Sequence, residues 1–338
     1  MKEISAILKA WDRSGILATV VGVRGSAYRK PGARMLVMAN GVRIGSISGG
    51  CLESEVAKKA AWLTSNGRVV RTYNGDEFGL GCNGSVDVLL ERLDAPHAQR
   101  HMQFLANRYA EGEPGVIATL TEGPDLGRRL YVAGGKVWSS DLENPGLLAK
   151  QAFEAARDGE SRMCPNAFIE YFAVPLRLLV FGAGFDVAPL VSMAKLLGWH
   201  VTVAAARPVQ SPLADEVVLL PADDFTCGVD IRPETAIVLM THNYATDREL
   251  LQRLLPLRPR YLGLLGPRAR TRQLLEEIGG HIDSRQLHAP IGLDLGADTP
   301  EGIALSIVAE IQAVAAGRSA KMLRSRDEPI YAPVPEFA

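Results

Sequence analysis

Between Arg13 and Leu52 the chain has no acidic residue, yet Arg13, Arg24, Arg29, Lys30, Arg34 and Arg43 place six cations among glycines and serines. Such a stretch can hold an anion. Gly25-Ser26 and Ser48-Gly49-Gly50-Cys51 add backbone N–H groups that no side chain hinders, and the second run leads into a helical stretch whose N-terminal dipole favours negative charge. A phosphate or pterin-phosphate is the guest this chemistry suits; solvated arginines on ordinary hairpin loops are the plainer reading. Cys51 and Cys82 each follow a glycine-rich turn, the second within Gly79-Leu80-Gly81-Cys82-Asn83-Gly84. Facing one cavity, two such thiols would suit a soft metal; otherwise they are small residues where backbones crowd.

In the second half, Leu176 to Phe181 is a continuous apolar run feeding Gly182-Ala183-Gly184 and then a helical stretch to Leu197. Strand, glycine turn and helix in that order open a Rossmann sheet. The dinucleotide fingerprint is incomplete, however. Its third small position falls on Val187, and the second strand ends Ala204-Ala205-Ala206-Arg207, with no carboxylate for a ribose and an arginine suited to a phosphate. A nucleotide fold that does not use NAD fits this better than ordinary NAD use. His242 follows the strand ending at Met240, where parallel sheets present functional residues, and Asp247 lies about a helical turn further on. It reads as a ligand, a proton handler or a simple hydrogen-bonding residue. Gly266-Pro267-Arg268 repeats the geometry, and Arg268 and Arg270 again suit an anion. His97 and His101, four apart with no third ligand nearby, read as a solvated helix face.

The elements that must position these residues are legible in part. In the first half, a helix from Ile4 to Trp11, strands at 16–23, 35–39 and 43–47, a helix at 52–65 and strands at 69–73 and 86–92 are expected. A helix at 97–110, strands at 115–121, 129–133 and 168–173, and a helix near 147–158 follow without a clean period. In the second, strands at 201–206, 216–220, 236–240 and 261–265 read as fully buried parallel strands with helices between them. The last helix has Thr299 as its N-cap, Pro300 at its first position and Gly317 as its stop. Domains are expected at 1–174 and 175–318, with a flexible tail at 319–338.

With 338 residues, 47% of them apolar, the chain has ample core without disulfide staples. Its 37 basic and 38 acidic residues nearly cancel, giving no reason to expect nucleic acid or an anionic membrane as partner. No run approaches the 18 or so apolar residues of a membrane span, and charge at Asp12-Arg13 interrupts any signal-peptide core. A cytoplasmic location is expected. The four cysteines form no C-x-x-C pair, and Cys164 and Cys227 lack a glycine-rich setting.

Several of these blocks together resemble the XdhC/CoxF family of xanthine dehydrogenase accessory proteins. They are Gly25-Ser26, Gly32-Ala33-Arg34-Met35, Ser48-Gly49-Gly50-Cys51-Leu52-Glu53, Gly79-Leu80-Gly81-Cys82, Phe181-Gly182-Ala183-Gly184, Met240-Thr241-His242, Gly263-Leu264-Leu265-Gly266 and Pro290-Ile291-Gly292-Leu293-Asp294, the last followed by Thr299-Pro300-Glu301. The resemblance covers nearly the whole chain and implies an N-terminal mixed α/β domain followed by a Rossmann-like parallel-sheet domain. It implies a chaperone, not an enzyme, that binds molybdenum cofactor as molybdopterin or its cytosine dinucleotide. The cargo would be protected and delivered to a molybdenum hydroxylase of the xanthine dehydrogenase type, often after a cysteine desulfurase has acted, and a homodimer is implied. The residue chemistry and the resemblance together give as the cofactor-binding set Arg24, Gly25, Ser26, Arg34, Ser48, Gly49, Gly50, Cys51, Glu53, Gly81 and Cys82 in the first half. In the second it is Gly182, Gly184, Arg207, His242, Arg268 and Asp294, and Cys51 and Cys82 would be the molybdenum contacts. The chain departs from the family pattern at Phe185, Ala205 and Asn83, where His, Asp and Gly are usual. The competing readings are an NAD(P)-binding oxidoreductase and a docking scaffold without cofactor.

Overall fold

The computed structural model describes residues 2–25, 28–50, 52–64, 67–74, 84–140, 142, 145–221, 226–279, 286–325 and 327. The chain divides into two compact units, with the boundary between Val174 and Pro175.

The N-terminal unit begins with α1 (Lys2–Ala10), β1 (Ile16–Arg24), β2 (Arg34–Val37), β3 (Arg43–Gly45), α2 (Glu53–Leu63), β4 (Arg68–Asn74) and β5 (Ser85–Arg92). It continues with α3 (Pro96–Glu111), β6 (Gly115–Leu120), β7 (Arg129–Ala133), β8 (Lys136–Ser140), α4 (Gly146–Asp158), β9 (Arg162–Cys164) and β10 (Ala167–Phe172). The two series have the same plan. Each makes an antiparallel five-stranded sheet, ordered β3-β2-β1-β5-β4 in the first and β8-β7-β6-β10-β9 in the second. The registers match as well: Thr19 pairs with Arg34 and Leu17 with Glu91, while Thr119 pairs with Arg129 and Ile117 with Glu170. Ile16-Leu17-Ala18-Thr19 therefore corresponds to Val116-Ile117-Ala118-Thr119. The N-terminal unit is an internal repeat.

Strand alternation gives each sheet two different faces. On one, Ile16, Ala18, Met35 and Leu90 pack under Val56 and Ala60 of α2, as Val116, Ala118, Leu130 and Ile169 pack with Ala152 and Ala155 of α4. On the other, Leu17 and Leu36 meet Ile117 and Tyr131 of the opposite repeat in one core with α1 and α3. Two buried ion pairs cross this interface reciprocally. Arg34 of the first repeat grips both oxygens of Glu170 in the second, at 2.8 and 2.5 Å. Arg129 of the second grips both oxygens of Glu91 in the first, at 2.9 and 2.5 Å.

His101 of α3 lies in this interior, not on the solvated face expected for it, and neither ring nitrogen has a hydrogen-bond partner. Burial, reinforced by the Arg129 and Arg34 charges, drives its pKa well below the usual 6.5. The unfolded chain binds a proton that the folded one refuses, so stability is full above about pH 6.5 and falls as pH drops below it. A His101→Leu variant is expected to lose less stability than the parent between pH 7.5 and 5.5, by about 1 kcal/mol. Urea midpoints at the two values read this, and equal losses would show that His101 titrates freely.

The C-terminal unit has a parallel sheet ordered β13-β12-β11-β14-β15, the mixed α/β plus Rossmann-like arrangement expected. Its elements are β11 (Arg177–Phe181), α5 (Val187–Leu196), β12 (His200–Ala205), β13 (Glu216–Leu219), β14 (Ala236–Leu239), α6 (Tyr244–Leu254), β15 (Tyr261–Leu264), α7 (Arg268–Ile278) and α8 (Pro300–Ala315). β12 reaches β13 without the helix expected there, because Pro208 and Pro212 punctuate the connection. The α8 start is as read: the Thr299 hydroxyl accepts from the Gly302 N–H at 3.1 Å. No described helix is long and apolar enough to cross a membrane.

Candidate functional site

Strand directions point the connections of the first repeat the same way. β3 runs parallel to β1, and β5 runs antiparallel to both, so Arg24, Asn74 and Ser85 lie at one end of the sheet, while β3 stops at Gly45, level with Ala18 of β1. The start of the β1–β2 connection and the ends bracketing 75–83 are thereby brought together, and the β3–α2 connection leaves β3 toward them. The Tyr28 ring packs flat enough on Gly49 that a Cβ there would sit 2.5 Å from it, which ties the first two connections. Ser26, Cys51, Gly81 and Cys82 lie outside the described residues.

The second repeat acts as an internal control. Its β9–β10 turn has two residues, Pro165 and Asn166, where the first repeat spends ten between Asn74 and Ser85. It also carries no counterpart of the Ser-Gly-Gly-Cys run before α4. One fold thus exists twice, with and without these two connections, so they are not a requirement of the fold.

The anion-binding groups are largely satisfied from within. The Glu53 carboxylate, at the head of α2, accepts from the backbone N–H groups of Ile47, Ser48, Gly49 and Gly50 at 2.9 to 3.2 Å. It also accepts from the hydroxyls of Ser46 and Ser48 at 2.7 and 2.6 Å. The N–H groups expected to face a guest anion are therefore turned onto this side chain, and Glu53 itself is buried. Burial alone would raise its pKa; the bonds from Ser48, Ser46 and the loop amides outweigh that and hold it at about 2. Among the expected cations, Arg34 is interior and committed to Glu170, which removes it from any ligand. Arg29 pairs with Glu3, Arg43 donates to Ser54, and Arg24 pairs with Asp87 at 2.9 Å. Of these, Arg24 is 69% exposed.

Arg24 and Asp87 stand in the wall of a cavity of about 640 Å³ within the N-terminal unit. Thr72 and Cys164 share that wall. Sequence reading missed both Asp87 and Cys164. An acid inside a strand reads as solvent-facing, and Cys164 reaches the cavity only through the second repeat. Burial pushes the Cys164 thiol up, so it is protonated at neutral pH.

In the C-terminal unit, Gly182 lets the turn approach β14, where a Cβ would stand 2.6 Å from the Met240 carbonyl. Asp186 sits at the head of α5, bonded to His242 Nε2 at 2.8 Å, and its other oxygen presses on Gly184. A carboxylate thus occupies the helix start where a dinucleotide's phosphates bind. Arg207 donates to the Ala183 carbonyl at 2.9 Å, which brings it to the same turn. Arg268 begins α7 and Asp294 precedes α8, both exposed. Asp247 is buried against Thr241 and Arg270, a structural pairing.

A family model described as the XdhC and CoxI family matches residues 9–74, and one described as the XdhC Rossmann domain matches 178–311. A Bacillus subtilis (strain 168) protein named as a probable subunit of xanthine dehydrogenase is 32% identical over 321 residues, covering 91% of this chain and 95% of that one. The chain belongs to the XdhC and CoxI family. Within the family, the Escherichia coli (strain K12) molybdenum cofactor insertion chaperone PaoD is 26% identical over 311 residues, covering 89% of this chain and 84% of its own. A crystal structure of a xanthine dehydrogenase from Bacillus halodurans superposes with a TM-score of 0.80 at 30% identity, covering 96% of this XdhC-family chain and 99% of the other.

Proposed function

We propose that this chain is a molybdenum cofactor insertion chaperone. It binds the cofactor as cargo at the loop-bearing edge of the first repeat, shields it, and passes it to a molybdenum hydroxylase of the xanthine dehydrogenase type. The observation that carries this reading is the asymmetry of the repeats: the Ser-Gly-Gly-Cys run before α2 and the ten-residue β4–β5 connection of the first repeat have no counterpart in its twin. Family membership and the name of the PaoD relative point the same way. The residues fit such a cargo. Arg24 is paired with Asp87 but 69% exposed, so it can turn to a phosphate, and the cavity is of ordinary ligand size. Cys51 and Cys82 are the soft donors proposed for molybdenum. The role needs no turnover by this chain, and we extend it to the cytosine dinucleotide form, a sulfurating cysteine desulfurase, a cytoplasmic setting and a homodimer.

An NAD(P)-dependent oxidoreductase is the weaker reading, because Asp186 stands at the head of α5 where the nucleotide's phosphates would lie. The test is anaerobic incubation of the full chain with released cofactor, followed by gel filtration and assay of the protein peak for molybdenum and pterin fluorescence. Stoichiometric co-elution, indifferent to excess NADP and reduced by Cys51→Ser and Cys82→Ser, is expected. An empty peak would sink the chaperone reading.

A further inference from the structure

The geometry points to Asp87 as the residue that recognises the pterin ring of the cargo, through the ring's 2-amino and N3–H edge. This assignment rests on the cofactor reading above and deepens it to a residue.

Asp87 lies on β5 in the wall of the cavity of about 640 Å³, with its side chain 16% exposed. The opposite strand makes room for it. β1 slips register between Val20 and Gly22, and a Cβ on Gly22 would stand 2.7 Å from Asp87 Oδ2. Only glycine lets the carboxylate lie there. Oδ1 accepts the Thr72 hydroxyl at 2.6 Å, and Oδ2 accepts a guanidinium N–H of Arg24 at 2.9 Å.

The guanidinium gives a single N–H, to Oδ2, and Oδ1 keeps a second lone pair beside the Thr72 hydroxyl. A 2-amino-4-oxopteridine presents two parallel N–H donors, from the amino group and from N3, in the spacing of a guanidinium edge, and a carboxylate accepts both. Arg24 can yield its place readily, because its own side chain is largely in water, which weakens its hold on the carboxylate. Once displaced, it remains beside the β1–β2 connection with its charge free for the cargo's phosphate. The flat ring meets apolar walls at Val23, Val70, Leu126 and Met163, the last with a polarisable sulfur. The twin repeat supports the assignment: counting back from Glu91 and Glu170, Asp87 corresponds to Asn166, an amide that cannot accept two donors in this way. The carboxylate belongs to the loop-bearing repeat alone.

The probe is 6-hydroxymethylpterin, whose fluorescence is titrated with the full chain, alongside its lumazine analogue, which has a carbonyl in place of the 2-amino group. The parent is expected to quench the pterin saturably and to reject the lumazine by roughly 100-fold. Asp87→Asn is expected to weaken pterin binding about tenfold or more, because its amide sets donor against donor. Arg24→Ala is expected to bind the pterin fragment as well as the parent or better. If the pair served only to brace the sheet, Arg24→Ala and Asp87→Asn would lose binding alike, and that result overturns the assignment. So would equal affinity for pterin and lumazine, or an Asp87→Asn variant as tight as the parent. Whole cofactor retained on the column with no binding of the pterin fragment would refute Asp87 and leave the chaperone reading standing. Loss of both would refute the chaperone reading itself.

Discussion

Arg129→Met is expected to destabilise the N-terminal unit by about 3 to 5 kcal/mol, the usual cost of leaving one member of a buried ion pair alone. Glu91 is fully buried, and both its oxygens are held by Arg129. The pair is strongly mutual: burial would lower the Arg129 pKa, and the Glu91 charge more than compensates and raises it. Without the guanidinium, Glu91 must take up a proton or draw water into the core between the sheets. The double variant Arg129→Met, Glu91→Leu is expected to recover most of the loss, since a buried pair exchanged whole for apolar groups of similar volume is close to neutral. Hydrogen exchange of the β5 and β7 amides reads both results in the full chain. Exchange should quicken roughly 100-fold or more in the single variant and return toward the parent in the double. Unchanged exchange in Arg129→Met would mean that the pair contributes nothing.

The second large effect concerns Glu53. Its carboxylate organises four N–H groups and two hydroxyls of the 46–50 connection. Its pKa of about 2 in the fold compares with 4.5 for the free group. The stabilisation is therefore present above about pH 4.5 and lost as pH falls from there toward 2, and it is on the order of 3 kcal/mol. Glu53→Gln removes it at every pH, because the amide offers a single acceptor oxygen and turns a donor toward donors. The Gly49 and Gly50 amides should lose their exchange protection at neutral pH, and the variant's stability should fall less steeply than the parent's as pH drops from 4.5 toward 2. Cofactor retention should fall with them. Full protection of those amides in Glu53→Gln would show that the connection holds its shape without the carboxylate.

How much of this was legible in the sequence differs between the units for physical reasons. Strands buried on both faces are mostly apolar runs, so β11, β12, β14 and β15 stand out, and the Thr299-Pro300 pair marks the start of α8 in its own residues. The N-terminal unit hides its plan. β9 is three residues long, and β8, Lys136–Ser140, exposes the adjacent apolar residues Val137 and Trp138, so neither carries an alternation to read. The repeat shows no period because its connections differ in length: equivalent residues are 100 apart at Ala18 and Ala118, 95 at Arg34 and Arg129, and 79 at Glu91 and Glu170. At the candidate site, the glycine runs and the head of α2 were visible, but not that Glu53 would turn back to fill the amides before it. Arg34 looked like a loop cation because its partner lies 136 positions away. Asp87 lacked any local cue, since what distinguishes it is the missing side chain of Gly22 on a neighbouring strand.

The reciprocal ion pairs also bear on the order of events during synthesis. When the first repeat has left the ribosome, its Arg34 and Glu91 have no partners and the inner face of its sheet is bare, because Glu170, Arg129 and the opposing apolar surface are still to be made. Translation at about 5 to 20 residues per second leaves that half waiting for several seconds before β10 emerges. A nascent chain halted soon after Arg92 therefore exposes an unsatisfied sheet to whatever holdase is at hand, whereas one halted beyond Val174 can close the N-terminal unit in a single step.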